Sequence, residues 1–194
     1  MSKKIKIIAF CGPAGCGKDT IVNRLSKISG FHKIIRSTTR PPREGEVQGE
    51  AYDFYDSVEL FTKDLLNGTL IEANVFNDWC YGTKITALDK DKINIGAFDP
   101  SAIVCMQENS QLDVEIYYLQ VSDKTRLLRQ LTREENPNVD EIIRRFRTDK
   151  EDFCDLENEI GPYYTICSNE TSDDLSMIIQ DLVGRIVSSS HPKI

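Results

Sequence analysis

Seven residues near the start of the chain, Gly12-Pro13-Ala14-Gly15-Cys16-Gly17-Lys18, are suited to holding phosphate. Glycines let successive main-chain N–H groups converge on phosphate oxygens, the start of a following helix adds partial positive charge, and a lysine ammonium reaches the outer phosphates. The chemistry expected of this loop is binding of a nucleoside triphosphate, with ATP as the ligand. The full pattern places Ser or Thr after the lysine as a magnesium ligand, and here Asp19 stands in that place with Thr20 next. Mg2+ is expected to accompany ATP, and the sequence leaves Asp19 and Thr20 both open as its protein ligand.

A second cluster reads Thr38-Thr39-Arg40-Pro41-Pro42-Arg43, followed by Tyr52-Asp53-Phe54. Two guanidinium groups on a proline-stiffened loop, with a tyrosine hydroxyl after them, suit the gripping of a phosphate. A third basic group comprises Arg129, Arg133, Arg144, Arg145 and Arg147. Arginines can offset the charge of a phosphoryl group in transfer, whereas beside glutamates on an exposed helix they are ordinary solvated residues.

These groups need elements to place them. Lys4 to Cys11 reads as a buried strand that the glycines break, and Ile21, Val22, Leu25 and Ile28 then recur at helical spacing from Lys18 to Ser29, with Gly30 at the helix end. Further strands are expected at 33–36, 70–76, 93–98, 114–121 and 163–167, with helices between most of them. That alternation favours a parallel sheet flanked by helices. Asp99 and Pro100 form an N-cap and N1 pair, and Ser122 caps a helix whose Leu127, Leu128 and Leu131 share a face. The polar run 134–141 interrupts two basic helical stretches, as a mobile flap would. A closing helix from about Ser172 turns Leu175, Ile178, Ile179, Leu182, Val183 and Ile186 to the core, ahead of a frayed tail.

Composition narrows the function. In 194 residues, 24 basic side chains face 31 acidic ones, a net charge of −7, which argues against non-specific binding to nucleic acid or to anionic membrane. A hydrophobic fraction of 40% supports one domain with a full core. The two histidines, His32 and His191, exclude a His-rich metal site and leave triad chemistry only His32. The opening MSKKIKIIAF carries neither a cleavage site nor a long apolar run, so a cytoplasmic protein is expected. The six scattered cysteines read as reduced thiols, with Cys16 the one to watch for alkylation.

The combination of GPAGCGK with TTRPPREGEVQGEAYDF resembles the guanylate kinases, nucleoside monophosphate kinases of the P-loop superfamily, across most of the chain. The resemblance implies an α/β P-loop nucleoside monophosphate kinase fold. Its core would span 1–35, 87–126 and 150–194, its monophosphate-binding region 36–86 and its lid 127–149. It implies transfer of the γ-phosphoryl of Mg-ATP to GMP or dGMP by a monomer or homodimer. Gly12 to Thr20 would hold ATP, with Asn169 near its adenine. Arg40, Arg43, Tyr52 and Tyr81 fall to the acceptor's phosphate; Arg36, Ser37, Glu72, Gly82 and Thr83 fall to the rest of GMP. Glu72 would accept from guanine N1–H and the exocyclic amine, and Thr83 would donate to O6. Adenine would leave that carboxylate unpaired, a difference that can reach about 10⁴-fold. Lys18, Arg43, Arg129, Arg133 and Arg145 would act on the transferring group, with Arg144 and Arg147 as surface residues.

The chain departs from the family pattern at Asp19, at Arg36 in place of a base-reading serine, and in the strand INIGAF, where Gly96 and Phe98 fall at the places of two aspartates. Asp99 either replaces one of those carboxylates through a one-residue shift or simply caps a helix. Two alternatives follow: a nucleoside or deoxynucleoside monophosphate kinase with another base preference, or a catalytically impaired guanylate kinase-like binding domain.

Overall fold

The computed structural model describes residues 3–43, 45–76, 78–133, 135–167 and 172–189. In chain order the elements are β1 (Ile5–Cys11), α1 (Lys18–Leu25), β2 (Phe31–Lys33), β3 (Ser37–Thr38), β4 (Asp53–Phe54), α2 (Val58–Leu66), β5 (Leu70–Phe76), β6 (Trp79–Lys84) and β7 (Ile93–Ala97). There follow α3 (Pro100–Glu108), β8 (Leu112–Gln120), α4 (Asp123–Leu131), α5 (Val139–Asp152), α6 (Leu156–Ile160), β9 (Tyr164–Cys167) and α7 (Ser172–Ser189). One sheet has the order β2-β7-β1-β8-β9 and a second the order β4-β3-β6-β5. The β2–β7 and β8–β9 pairings are parallel, as a helix-flanked α/β sheet requires. The chain forms two compact units, Met1–Ala9 with Ser29–Glu115, and Phe10–Ile28 with Ile116–Ile194.

In the first unit, Ile5, Ile7, Ile8 and Ala9 are all buried, an apolar run broken only by the half-buried Lys6 and typical of a strand covered on both faces. Asn94 on β7 is fully buried and is satisfied by donating to the carbonyls of Lys6 and Asp89 and accepting from the Asp89 N–H. Asp99 caps α3, with Oδ1 2.9 Å from the Ala102 N–H, and Ala102, Ile103 and Met106 are buried. The small sheet mixes directions: β3 runs parallel to β4, while β6 is antiparallel to both β3 and β5. Its register sets Glu72 opposite Thr83, Ser37 opposite Gly82 and Thr38 opposite Tyr81. A side chain at Gly82 would meet the Glu72 carbonyl at 2.8 Å and the Phe61 ring at 3.0 Å, so the sheet packs on α2 only with glycine there.

In the second unit, Ile21, Val22 and Leu25 bury one face of α1, and Leu175 and Leu182 do the same for α7. Ser122 caps α4 as expected, accepting from Thr125, and Asn138 caps α5 by accepting from Glu141.

Several expectations need correction. The strand expected at 33–36 lies at 31–33, because Ile34 ends the pairing with β7 and the chain turns toward β3. Helix α1 stops at Leu25 rather than Ser29, with Ser26, Lys27 and Ile28 in turns. The face of α4 carrying Leu128 and Leu131 is exposed, at 50% and 36%, while Arg126 is the buried residue of that helix. Strands β3, β4 and β6 lie in segments whose sequence shows no strand period. The tail from residue 190, including His191, lies outside the described residues.

Candidate active site

The strand, loop and helix arrangement expected of the glycine loop is present. Gly15 takes φ 81° and an added Cβ would meet the Arg126 carbonyl at 2.7 Å; Gly12 takes φ 142° and would meet the Leu119 carbonyl at 2.8 Å. Both positive angles and both close approaches demand glycine. The Lys18 ammonium folds back onto the loop, donating to the carbonyls of Gly12 and Pro13 and lying 3.7 Å from the Cys16 sulfur. Cys16 is fully buried, which overturns its expected alkylation sensitivity, and burial pushes the neighbouring Cys11 thiol up to about 12.

Asp19 and Thr20 are exposed in the first turn of α1, placing hard oxygen donors beside the loop. Among the described residues no cluster of three or more His, Cys, Asp or Glu side chains forms a protein cage for a metal. That donor set fits an ion such as Mg2+, which keeps several waters and takes phosphate oxygens for the rest.

Helices α4 and α5 bring three charged groups to the loop, two of which the sequence did not single out. Arg129 donates to the Gly15 carbonyl at 3.2 Å. Asp149 accepts from the Ala14 N–H at 2.8 Å, and its Oδ2 is 3.7 Å from Nη2 of Arg126. Arg126 is 3% exposed, lies over the Phe146 ring at 4.8 Å, and its Nε and Nη2 have no hydrogen-bond partner among the described residues. Burial pushes the Asp149 carboxyl above the usual range, although the Ala14 N–H and the charges of Arg126, Lys18 and Arg145 oppose the shift. Nothing in the local sequence marks this pair, since an Arg and an Asp on amphipathic helices normally face water.

The remaining lid candidates are held differently. Arg145 donates to Glu141 at 2.7 Å, as does Arg144, and those donors hold the Glu141 carboxyl at about 2. Arg133 is exposed, and Asn169 lies outside the described residues.

The first unit assembles the second cluster. The Thr38 hydroxyl donates to the Cys80 carbonyl and accepts from the Arg40 N–H, and the Cys80 N–H donates to the Thr39 hydroxyl, which pins the segment against β6. Arg40 is 9% exposed, holds both oxygens of Glu46 at 3.0 and 2.8 Å, and lies over the rings of Tyr52 and Phe54. The Arg43 N–H also donates to Glu46, while its side chain is exposed. Tyr52 and Tyr81 meet edge to face with centroids 6.1 Å apart. Arg40, Tyr52 and Tyr81 are thereby gathered beside the small sheet, while Arg43 joins them only through its main-chain bond to Glu46.

Glu72, with its side chain 0% exposed, is engaged on both oxygens. Its Oε1 accepts from the Thr83 hydroxyl at 2.6 Å and from Arg36 Nη2 and Nε at 2.9 and 3.3 Å; its Oε2 accepts from Arg36 Nη2 at 3.1 Å. The other arm of Arg36, Nη1, is 3.5 Å from Asp99 Oδ2, and its guanidinium lies 5.2 Å from the Phe98 ring centre. Burial works against both charges, but Glu72 and Asp99 keep Arg36 above its ordinary value, and Arg36, Ser101 and the Ala102 N–H keep the Asp99 carboxyl below its own. Asp99 therefore takes the capping role, one of the two the sequence offered for it, and in addition pairs with Arg36, which the sequence did not anticipate. Ser37 donates to Asp53 at 3.2 Å. Asn74, which the sequence did not single out, donates to Ser101, and its Oδ1 has no hydrogen-bond partner among the described residues.

A parallel sheet whose first strand runs into this glycine loop, accompanied by a small sheet that carries a basic and aromatic cluster, has the fold of a P-loop kinase. The fold of a shikimate kinase from Acinetobacter baumannii is similar, with a TM-score of 0.51 at 17% identity over 98% of this chain and 97% of that one. A guanylate kinase from Anaplasma phagocytophilum has a TM-score of 0.65 at 21% identity over 95% of this chain and 88% of its own. In sequence, a guanylate kinase of Clostridium tetani is 30% identical over 185 residues, covering 92% of this chain and 85% of that protein. One of Clostridium acetobutylicum is 42% identical over 83 residues, 43% of this chain and 39% of that relative's length. The family model described as guanylate kinase matches residues 4–185, and the chain belongs to the guanylate kinase family. Among the described residues no helix is long and apolar enough to cross a membrane.

Proposed function

We propose that the protein transfers the γ-phosphoryl of Mg-ATP to GMP or dGMP, giving GDP or dGDP and ADP. The observation that carries this reading is the small sheet: its register sets Glu72 opposite Thr83 within the element that also gathers Arg40, Tyr52 and Tyr81, in a chain with an intact glycine loop. An acceptor's phosphate is taken by Arg40, Arg43, Tyr52 and Tyr81, and its base at Arg36, Ser37, Glu72, Gly82 and Thr83. ATP is held by the amides of the loop from Gly12 to Lys18, with Asn169 assigned to its adenine. The acceptor oxygen attacks directly, so no side chain serves as nucleophile. Lys18, Arg43, Arg129, Arg133 and Arg145 offset charge on the transferring group, for which Lys18 must leave the Gly12 carbonyl and Arg145 must leave Glu141. Asp19 or Thr20 would reach Mg2+, which when bound to ATP neutralises charge between its outer phosphates. A cytoplasmic setting accords with these substrates.

One contact favours a second reading, a kinase of another monophosphate: Arg36 already occupies the carboxylate assigned to guanine. A coupled assay of ADP release with GMP, dGMP, AMP, UMP, CMP and dTMP as separate acceptors, and Lys18→Ala as control, decides between them. Turnover with GMP or dGMP alone is the expected result. A pyrimidine acceptor would reject the guanine assignment, and nucleotide binding without turnover would favour a binding domain.

A further inference from the structure

We propose that Arg36, rather than Glu72, reads the acceptor's base, and that the protein accepts 6-oxopurine monophosphates as a class, IMP as well as GMP. The inference rests on the proposed kinase activity, keeps its reaction and its phosphate-binding residues, and revises only the assignment of the base to Glu72 and Thr83.

Guanine differs from hypoxanthine only in its 2-amino group, so a site separates the two by giving that amine an acceptor. Glu72 is the residue assigned to that task, and it is already engaged. Three donors converge on its Oε1 and one on its Oε2, its side chain is wholly buried, and the Arg36 side chain, 11% exposed, lies against it. The Thr83 hydroxyl has one proton and gives it to Glu72 at 2.6 Å, so it has none for O6. The atom that remains is Nη1 of Arg36, which makes no hydrogen bond among the described residues and lies 3.5 Å from Asp99. A guanidinium only donates, so it meets acceptors, and on a 6-oxopurine those are O6 and N7. Adenine presents an amine donor at C6 and is repelled; pyrimidines lack N7. The 2-position is left unread.

The support beneath Arg36 lies at positions where the chain departs from the family pattern. A side chain at Gly96 would meet the Phe98 ring at 2.5 Å, so glycine there admits the ring, and the ring lies under the guanidinium. The residues that stand where the family carries two aspartates thus form the seat of the arginine. Phe98 is 2% exposed, which fixes the ring in place.

The test is the ratio of kcat/KM for GMP to that for IMP, with AMP alongside, in the wild-type protein and in Arg36→Ser. A site that hydrogen-bonds the amine would favour GMP by about 10⁴-fold, whereas the present geometry predicts a ratio within about tenfold and no turnover of AMP. Arg36→Ser frees Glu72, and the ratio is expected to rise by at least about a hundredfold. A wild-type ratio above about 10³ overturns the proposal whether or not the variant folds, as does a small ratio that Arg36→Ser leaves unchanged; both outcomes leave the kinase activity standing. Should Arg36→Ser fail to fold, Arg36→Lys replaces it, and a ratio unmoved by loss of the fork counts against the proposal. Turnover of a pyrimidine in place of both 6-oxopurines would overturn this proposal and the guanine assignment of the proposed function together, while leaving phosphoryl transfer standing.

Discussion

The Oδ2 of Asp149 accepts a hydrogen bond from the main-chain N–H of Ala14 at 2.8 Å, so a carboxylate from α5 occupies an amide of the glycine loop. The same carboxylate lies near the buried Arg126, which makes it a meeting point of loop, α4 and α5. On the proposed function, a triphosphate reaching that loop would meet an anion already seated there.

Asp149→Asn removes the charge and keeps the shape. It is expected to tighten binding of Mg-ATP by about tenfold, the scale of one charge-assisted hydrogen bond, in a calorimetric titration. Unchanged or weaker binding would show that Asp149 is not a competitor of phosphate.

Burial raises the Asp149 carboxyl above its unfolded value of about 3.9, so its contribution to stability is present below that pH and is lost as pH rises through the raised folded value. The Arg126, Lys18 and Arg145 charges that face it narrow the window without reversing it. Thermal unfolding of wild type and Asp149→Asn should therefore diverge as pH rises from about 4 to 7, with the variant gaining. Parallel curves would contradict the burial argument.

Lys18→Ala and Arg43→Ala should each reduce turnover by about 10²-fold or more while leaving the circular dichroism spectrum unaltered. The Lys18 contacts lie within the loop and the Arg43 side chain is exposed, so neither supports the core. Near-normal turnover in either variant would remove that residue from the site.

Gly96→Asp restores the residue type expected from the family pattern but drives a side chain into the Phe98 ring, 2.5 Å from where Cβ would lie. The expected cost is about 1–3 kcal/mol in denaturant unfolding. Gly96→Asp with Phe98→Ala should recover part of that loss, and failure to recover any of it would place the strain elsewhere.

Strong local signals were legible in the sequence. The apolar run of β1, the glycines after it and the Asp99-Pro100 cap each describe an element through its own residues, and the structure contains all three. The small sheet was much less so, because β3 and β4 are two-residue strands held by partners distant in sequence, and a period of two cannot register in so short a span. Helix α4 misled for a related reason: Leu127, Leu128 and Leu131 read as its inner face, yet Arg126 is buried because Phe146 and Asp149 on α5 receive it.

By itself the sequence determined the chemistry on offer: a loop whose glycines and lysine suit phosphate, an arginine and tyrosine cluster whose residue types suit a second, and the family that joins them. Those assignments rest on residue type and short spacing, which survive translation into any compatible fold. Only the tertiary structure decided which charges meet. Glu72 and Arg36 are 36 residues apart, and Ala14 and Asp149 are 135 apart, so no local pattern could join them. Buried charges must find partners, and the fold, through strand register and helix packing, supplies the nearest ones.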